Sequence, residues 1–440
     1  MLFQRERIIH MTGRLFKNRS GEKDDYIWNS TGGILNAMQS VVILMVIQRT
    51  AGIEAAGIFS IAYATANLFL NLGNYGVRNY QISDLDEQFS FRDYLHHRFL
   101  TAAMMIGASL MYCLVSYFNG NYSVKKTWIV FLMCALKCLD CLEEVFEGRM
   151  QQRGRLDQAG KLVTVRIIIS IGGMIAALAV LRDLLIATLV AIVLEAAVII
   201  WVIRQTRDTI HYQASSHTPG AIGYIMKACF PVCAVNFLSF YITNAPKYAI
   251  DGLMDEATQA RYNFIAMPVF VIQMLNLFIY QPALVQMTEF WVHRDYGKFI
   301  RKFLKIVGGL AIISVIVLFG SWLVGIPALS WLYVADLSDL KTEFMMIMIG
   351  SVFFAMNGYY NAVLTVMRVQ KLLLPVYLAG AVFSLLVTGS MVRADGIYGA
   401  VKAYVIVMIF IMLVLTAVFA YVLARAGKKK QKEQDHGKGV

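Results

Sequence analysis

The sequence predicts an all-α integral membrane protein: about twelve transmembrane helices in two six-helix halves. Three observations predict it. Of 440 residues, 58% are apolar and only 15% charged, far from the composition of a soluble domain. Apolar runs of about 20 residues, each able to cross a ~30 Å hydrocarbon layer, recur along the chain. The single long polar break inside the chain, 205–220, follows the sixth run and divides the runs six and six.

The helices are expected near 28–48, 54–76, 99–118, 128–147, 161–181, 184–203, 222–245, 262–285, 304–326, 343–366, 372–391 and 397–424. With both termini cytoplasmic, most of the 40 Lys and Arg fall on the cytoplasmic side, and an odd helix count would scramble that bias. Trp28, Trp201 and Trp291 then lie at inner interfaces and Trp128 and Trp331 at outer ones. This gives a basic tail (1–27), a first bundle (28–204), a cytoplasmic linker (205–220), a second bundle (221–424) and a basic tail (425–440). No apolar run precedes a cleavage site, so the first span itself is the targeting signal. The net charge of +12 follows from the topology bias and attraction to anionic lipid, and does not argue for nucleic acid. Of six cysteines, Cys138 and Cys141 form a CxxC on a membrane helix, and the seven histidines, including His96, His97 and His293, are read as lying in tails or loops. Neither pattern suggests a metal site or a cofactor.

In chain order, the tail carries Arg5, Arg7, Arg14, Lys17, Arg19 and Lys23, suited to an anionic leaflet or to solvent. Span one is polar on one side at Asn36 and Gln39 and ends at Arg49; Ala55, Ala56 and Gly57 let span two pack closely against it. Span two ends at Gly73 and Gly76, a terminator or a hinge, followed by Arg78, Gln81 and Asp84. Arg78 is placed to meet a phosphate at the inner mouth. In span four, Asp140, Glu143, Glu144 and Glu147 share roughly one 100° arc, with Lys137 at its margin. Asp140 lies roughly 12 Å inside the helix end, where an ionised group needs a partner, a proton or water. Arg166 in span five and Glu195 in span six fall at matching depth, which predicts a buried pair, or a triad with Asp140.

All seven prolines lie at 219 or later. Pro231 and Pro246 in span seven and Pro268 and Pro282 in span eight predict bent or broken helices. Asn236, Asn244, Lys247 and Asp251 run along span seven to the outer mouth. Span ten carries Asn357, Tyr359, Tyr360 and Asn361 where span four has carboxylates. A weak parallel repeat pairs Ile47-Gln48-Arg49 with Ala245-Pro246-Lys247. The tail with Lys428, Lys429, Lys430 and Lys432 reads as disordered.

Residues 140–166 (DCLEEVFEGRMQQRGRLDQAGKLVTVR), 73–84 (GNYGVRNYQISD) and 244–251 (NAPKYAID) resemble bacterial polysaccharide flippases, the Wzx-type branch of the multidrug, oligosaccharidyl-lipid and polysaccharide (MOP) exporter superfamily. The likeness runs from Trp28 to about Leu423. It implies two six-helix bundles around a central cavity that opens alternately to either side. The cargo it implies is undecaprenyl-diphosphate-linked oligosaccharide, moved from the inner to the outer leaflet of the bacterial inner membrane for capsule, exopolysaccharide or O-antigen. Its partners would be that lipid, the surrounding membrane lipids, and a polysaccharide polymerase with glycosyltransferases. Arg49, Arg78, Arg166 and Lys247 are then the candidate substrate-binding cations, and Asp140, Glu143, Glu144 and Glu195 the candidate ion-coupling acids.

Two other readings compete. A cation-coupled drug or metabolite antiporter of the same fold expects an acid in the first helix, where this span has only Asn and Gln. A membrane polymerase or ligase needs catalytic groups in a large outer loop, and the outer loops here are short. The chain is therefore read as a transporter and not an enzyme.

Overall fold

The structure, a computed structural model, describes residues 16, 21–210 and 218–437. The tail cations Arg5, Arg7, Arg14, Lys17 and Arg19, and the linker residues His211, Ser215 and Ser216, lie outside the described residues.

The described chain is helical: α1 Glu22–Thr50, α2 Ile53–Asn74, α3 Val77–Ser83, α4 Phe91–Phe118, α5 Val124–Gln152, α6 Leu156–Leu181, α7 Leu184–Gln205, α8 Arg207–Ile210, α9 Ala221–Leu253, α10 Glu256–Ala266, α11 Val269–Val292, α12 Tyr296–Gly320, α13 Ile326–Tyr333, α14 Lys341–Val366 and α15 Leu373–Gly437. Among the described residues, nine helical runs are long and apolar enough to cross a membrane. The twelve expected from the sequence differ from these nine for identifiable reasons. Helices α5 and α11 also have spanning length, and α5 is set apart from the apolar runs by the charges it carries. The run at the C-terminus counts once, yet Gly396 (φ 59°, ψ −130°) leaves helical geometry inside it and separates two helices. The protein is thus an all-α, multi-pass membrane protein.

Contacts divide the chain into two compact units, Met1–Phe237 and Leu238–Val440. The division falls inside α9, beyond the polar 205–220 stretch, because the first turns of α9 pack with the first unit. A Cβ on Gly76 would come within 2.7 Å of Val232, and the Cys233 thiol donates to the Asn71 carbonyl at 3.7 Å.

In the first unit, α1 and α6 are brought together by glycine. A Cβ on Gly160 would meet the Trp28 carbonyl oxygen at 2.7 Å, so no larger residue fits at this crossing. The start of α6 is tied to α1 as well, since the Asp157 N–H donates to the Asp25 carboxylate at 2.8 Å. Between α2 and α3 the backbone turns through two consecutive left-handed residues, Tyr75 (φ 52°) and Gly76 (φ 68°), which terminate one helix and start the next. Helix α4 opens with a reciprocal cap: the Asp93 N–H donates to Ser90 Oγ at 3.2 Å and the Ser90 N–H donates to the Asp93 carboxylate at 3.0 Å.

Several sequence expectations need correction. His96 and His97 lie inside α4, not in a loop, and His97 is fully buried with its ring edge-on to Tyr75 at 5.6 Å. The Ser90 cap starts that helix at Phe91, two turns before the expected 99. The N-terminal stretch is not wholly a free tail: helix begins at Glu22, and Phe16 is fully buried, its ring 5.8 Å from Trp201 and its carbonyl accepting from Arg155 Nη2 and Gln158 Nε2. At the other end the backbone stays helical through Gly437, because Lys, Gln, Glu and Ala sustain a helix in water. Of the four prolines expected to break spans seven and eight, Pro268 separates α10 from α11, standing at the N-cap of α11, where its missing N–H costs that helix no hydrogen bond. Helix α9 continues through Pro231 and Pro246, and α11 continues through Pro282.

Candidate functional site

Helix α5 gathers the buried charge of the first unit, and its sequence explains why. Its acids recur at Asp140, Glu143, Glu144 and Glu147, so they share one side of the helix, while Ile129, Val130, Met133 and Val145 are buried among apolar neighbours. Each acid meets a cation carried by another helix or by the preceding turn.

Arg166 of α6 is the hub. Its Nη1 contacts Asp140 Oδ1 and lies 3.2 Å from Glu195 Oε1 of α7, while its Nε is 2.5 Å from Glu143 Oε2. The Nε–Glu143 approach is close but off the N–H axis, so it is an ion pair without an aligned hydrogen bond. Lys137, one turn before Asp140, donates to its second oxygen at 2.6 Å and lies over the Tyr63 ring at 5.3 Å. Five ionisable groups from α5, α6 and α7 therefore form one buried network, none more than 12% exposed at its side chain. The pair predicted from matching depth, Arg166 with Glu195, is present, and so is the triad with Asp140.

Two further pairs continue along α5. Arg98 of α4, buried completely, donates to Glu144 at 2.7 Å and to the Gly73 carbonyl at 2.8 Å. Arg78 of α3 donates to Glu147 at 2.7 Å and to Gln151 at 3.3 Å. Near the end of α5, Arg149 and Arg153 both reach Glu87, each at 3.0 Å. Removing one member of such a buried pair strands its partner's charge, which is why this helix fixes the packing of α3, α4, α6 and α7 around it.

The proposed site residues fall in different surroundings. Asp140, Glu143 and Glu195 come together on Arg166, whereas Glu144 sits in the separate pair with Arg98. Arg78 stands with Glu147. Arg49 is in the last turn of α1 with its side chain exposed. Lys247 belongs to the second unit, half-buried on α9. Sequence reasoning missed Arg98 altogether by placing it outside the span. The S-x-x-D cap at Ser90–Asp93 was the signal that puts it two turns into α4. Lys137 was seen only as a neighbour of the acidic arc, because periodicity gives a face but not a contact.

Comparison with known proteins bears on this arrangement. The family described as "Polysaccharide biosynthesis protein" matches residues 23–288, a segment that contains the whole α5 network. No curated protein matches the sequence. Among solved structures, the lipid II flippase MurJ in an inward closed conformation superposes with a TM-score of 0.71 at 10% identity, covering 91% of this chain and 90% of that one. An inward-facing multidrug resistance MATE family transporter of the MOP superfamily gives 0.63 at 13% identity, covering 96% and 99%. A MOP superfamily transporter from Pyrococcus furiosus, described as having a binding pocket of reverse polarity, gives 0.55 at 11% identity, covering 95% and 98%. At these identities the likeness establishes a shared fold.

Proposed function

The chain belongs to the polysaccharide biosynthesis protein family, and from that premise we propose that it is a flippase carrying undecaprenyl-diphosphate-linked oligosaccharide from the inner to the outer leaflet of the bacterial inner membrane by alternating access. The fold it shares with transporters supports transport rather than catalysis. In this reading both termini are cytoplasmic, and the cargo arrives from glycosyltransferases and passes to a polysaccharide polymerase.

One observation carries the reading: a network of five ionisable side chains buried in helices that otherwise satisfy the demands of a hydrocarbon environment. A passive membrane anchor gains nothing from such groups, whereas a transporter needs charges that change partners or protonation as it works. The network is also unbalanced. Asp140, Glu143 and Glu195 supply three carboxyls against two cations, Lys137 and Arg166. With all five ionised, one negative charge is uncompensated, and taking up a proton or a small cation restores neutrality. Asp140, Glu143 and Glu195 are therefore the ion-coupling acids of this proposal, while Glu144, matched one to one by Arg98, stabilises the helix packing. Among the substrate-binding cations, Arg49, Arg78 and Lys247 keep their place in the proposal, while Arg166 acts chiefly through the acids it holds.

The test is transport of undecaprenyl-diphosphate-linked oligosaccharide by the full chain in proteoliposomes, with and without an imposed ion gradient. The wild type is expected to move the lipid-linked sugar, and Asp140→Asn to move it with a blunted response to the gradient. No movement by a folded wild-type protein sinks the flippase reading; an unchanged gradient response in Asp140→Asn puts coupling elsewhere.

A further inference from the structure

The first unit contains a polar cavity of about 210 Å³, lined by none of the five residues of the Arg166 network. One wall is the stripe Asn29, Gly33 and Asn36 on α1, spaced so that all three share a helix face. The lining also includes the Arg78–Glu147 pair and the close crossing of α1 with α6 at Gly32 and Gly160. The chemistry of the lining separates two ligands that a lipid-linked sugar would present, a diphosphate and a pyranose.

A diphosphate is the poorer fit. The one cation in the wall, Arg78, already gives Nη1 to Glu147 and Nη2 to Gln151, and the Glu147 side chain is only 11% exposed. A phosphate taking the guanidinium would strand a buried carboxylate and stand beside its negative charge. A neutral, hydroxyl-rich ring meets no such penalty. Asn36 accepts from Gln39 at 2.7 Å and keeps its NH₂ group for a ligand, and Asn29 has no partner among the described residues. Glu147 retains its second oxygen as an acceptor, and Arg78 retains N–H groups not used by the pair. The lining thus offers both donors and acceptors around a space of about 210 Å³, enough for one sugar ring.

We infer that this cavity is a sugar-binding subsite, recognising one pyranose unit of the cargo by neutral hydrogen bonding while the diphosphate is held elsewhere. The inference rests on the flippase reading and assigns Arg78, in its pair with Glu147, to the sugar rather than to the phosphate.

Equilibrium binding of two probes to the full chain in nanodiscs tests it: undecaprenyl diphosphate, and the same lipid carrying a single N-acetylglucosamine. The wild type is expected to prefer the sugar-bearing lipid by about tenfold, the scale of one net hydrogen bond. Gly33→Leu projects a side chain into the cavity where a Cβ meets nothing within 4 Å, so the fold tolerates it. It should erase the preference while leaving affinity for the bare lipid diphosphate unchanged, and Asn36→Leu should do the same. Equal weakening for both lipids would place the diphosphate in the cavity and overturn the inference, as would a preference that survives Gly33→Leu or is absent from the wild type. If the wild type binds neither lipid, the flippase reading falls and the subsite falls with it; if it binds both alike, only the subsite falls.

Discussion

Helix α5 of the first unit and helix α14 of the second, the fourth and tenth spans expected from the sequence, are held by opposite chemistry. Around α5 the contacts are charges: Arg78, Arg98 and Arg166 each reach its carboxylates. Around α14 they are neutral. Asn357 donates to the Met408 carbonyl at 3.2 Å, Thr416 donates to the Tyr360 hydroxyl at 3.0 Å, and Asn361 pairs with Tyr377. Aromatic rings fill the rest, with Phe303 stacked on Tyr359 at 5.3 Å and on Phe419 at 4.5 Å. Both solutions give buried polar side chains partners from other helices, but only the first sets carboxylates against cations. The difference teaches that the buried carboxylates and their cations collect on one helix of the first unit, while the corresponding helix of the second is held by neutral hydrogen bonds and ring packing.

The strongest way to break this contrast is to remove the hub. Arg166→Met leaves Asp140, Glu143 and Glu195 with Lys137 as their one remaining cation and is expected to cost about 3–5 kcal/mol, as for any buried ion pair broken from one side. Thermal unfolding in detergent measures it, and a change within about 0.5 kcal/mol, the range of ordinary surface substitutions, would mean the network is hydrated rather than buried.

Arg98 and Glu144 sharpen the same point. Arg98→Met alone strands Glu144 and should again cost about 3–5 kcal/mol, whereas Arg98→Met with Glu144→Met replaces both charges by apolar side chains and should recover most of the loss. If the double variant is as unstable as the single one, Arg98 acts through its bond to the Gly73 carbonyl rather than through the ion pair.

How far these features could be read from the sequence follows from what each depends on. Span lengths and their order were legible because apolar runs and charge bias are local properties. The Arg166–Glu195–Asp140 triad was legible because matching depth on adjacent helices restricts the partners of a buried charge. Arg98 was not, since the search for apolar runs discards the charged turns at which a membrane helix begins. The burial of Phe16 depends on Trp201, Arg155 and Gln158, which are remote in the sequence and converge only in the folded chain. The break at Pro268 and the continuity through Pro246 have the same residue type and opposite outcomes, so the deciding factor is the surrounding helices.

In the second unit the corresponding substitution should be mild. Asn357→Leu removes one neutral hydrogen bond to the Met408 carbonyl and is expected to cost about 1 kcal/mol in thermal unfolding. A loss as large as that of Arg166→Met would erase the distinction between the two helices.

The smallest expected effect lies at the start of α7, where Asp183 caps the helix by accepting from the Leu185 and Ile186 N–H groups and pairs with Lys125 at 2.7 Å. The Lys125 ammonium, aided by these N–H groups, holds the Asp183 carboxyl below the usual carboxylate range. A carboxyl whose folded pKa is depressed binds its proton more readily in the unfolded chain, so its stabilisation is complete above the ordinary pKa and fades as pH falls through the folded value. Asp183→Ala should therefore lower stability by about 1 kcal/mol near neutral pH, chiefly through the lost cap, because the exposed lysine adds little. The gap between variant and wild type should stay level from neutral to mildly acidic pH and narrow once the wild-type carboxylate is protonated. A gap that widens with acid would assign the stabilisation to a different group, and the charges of the first unit would then need a partner at this end of α7 as well.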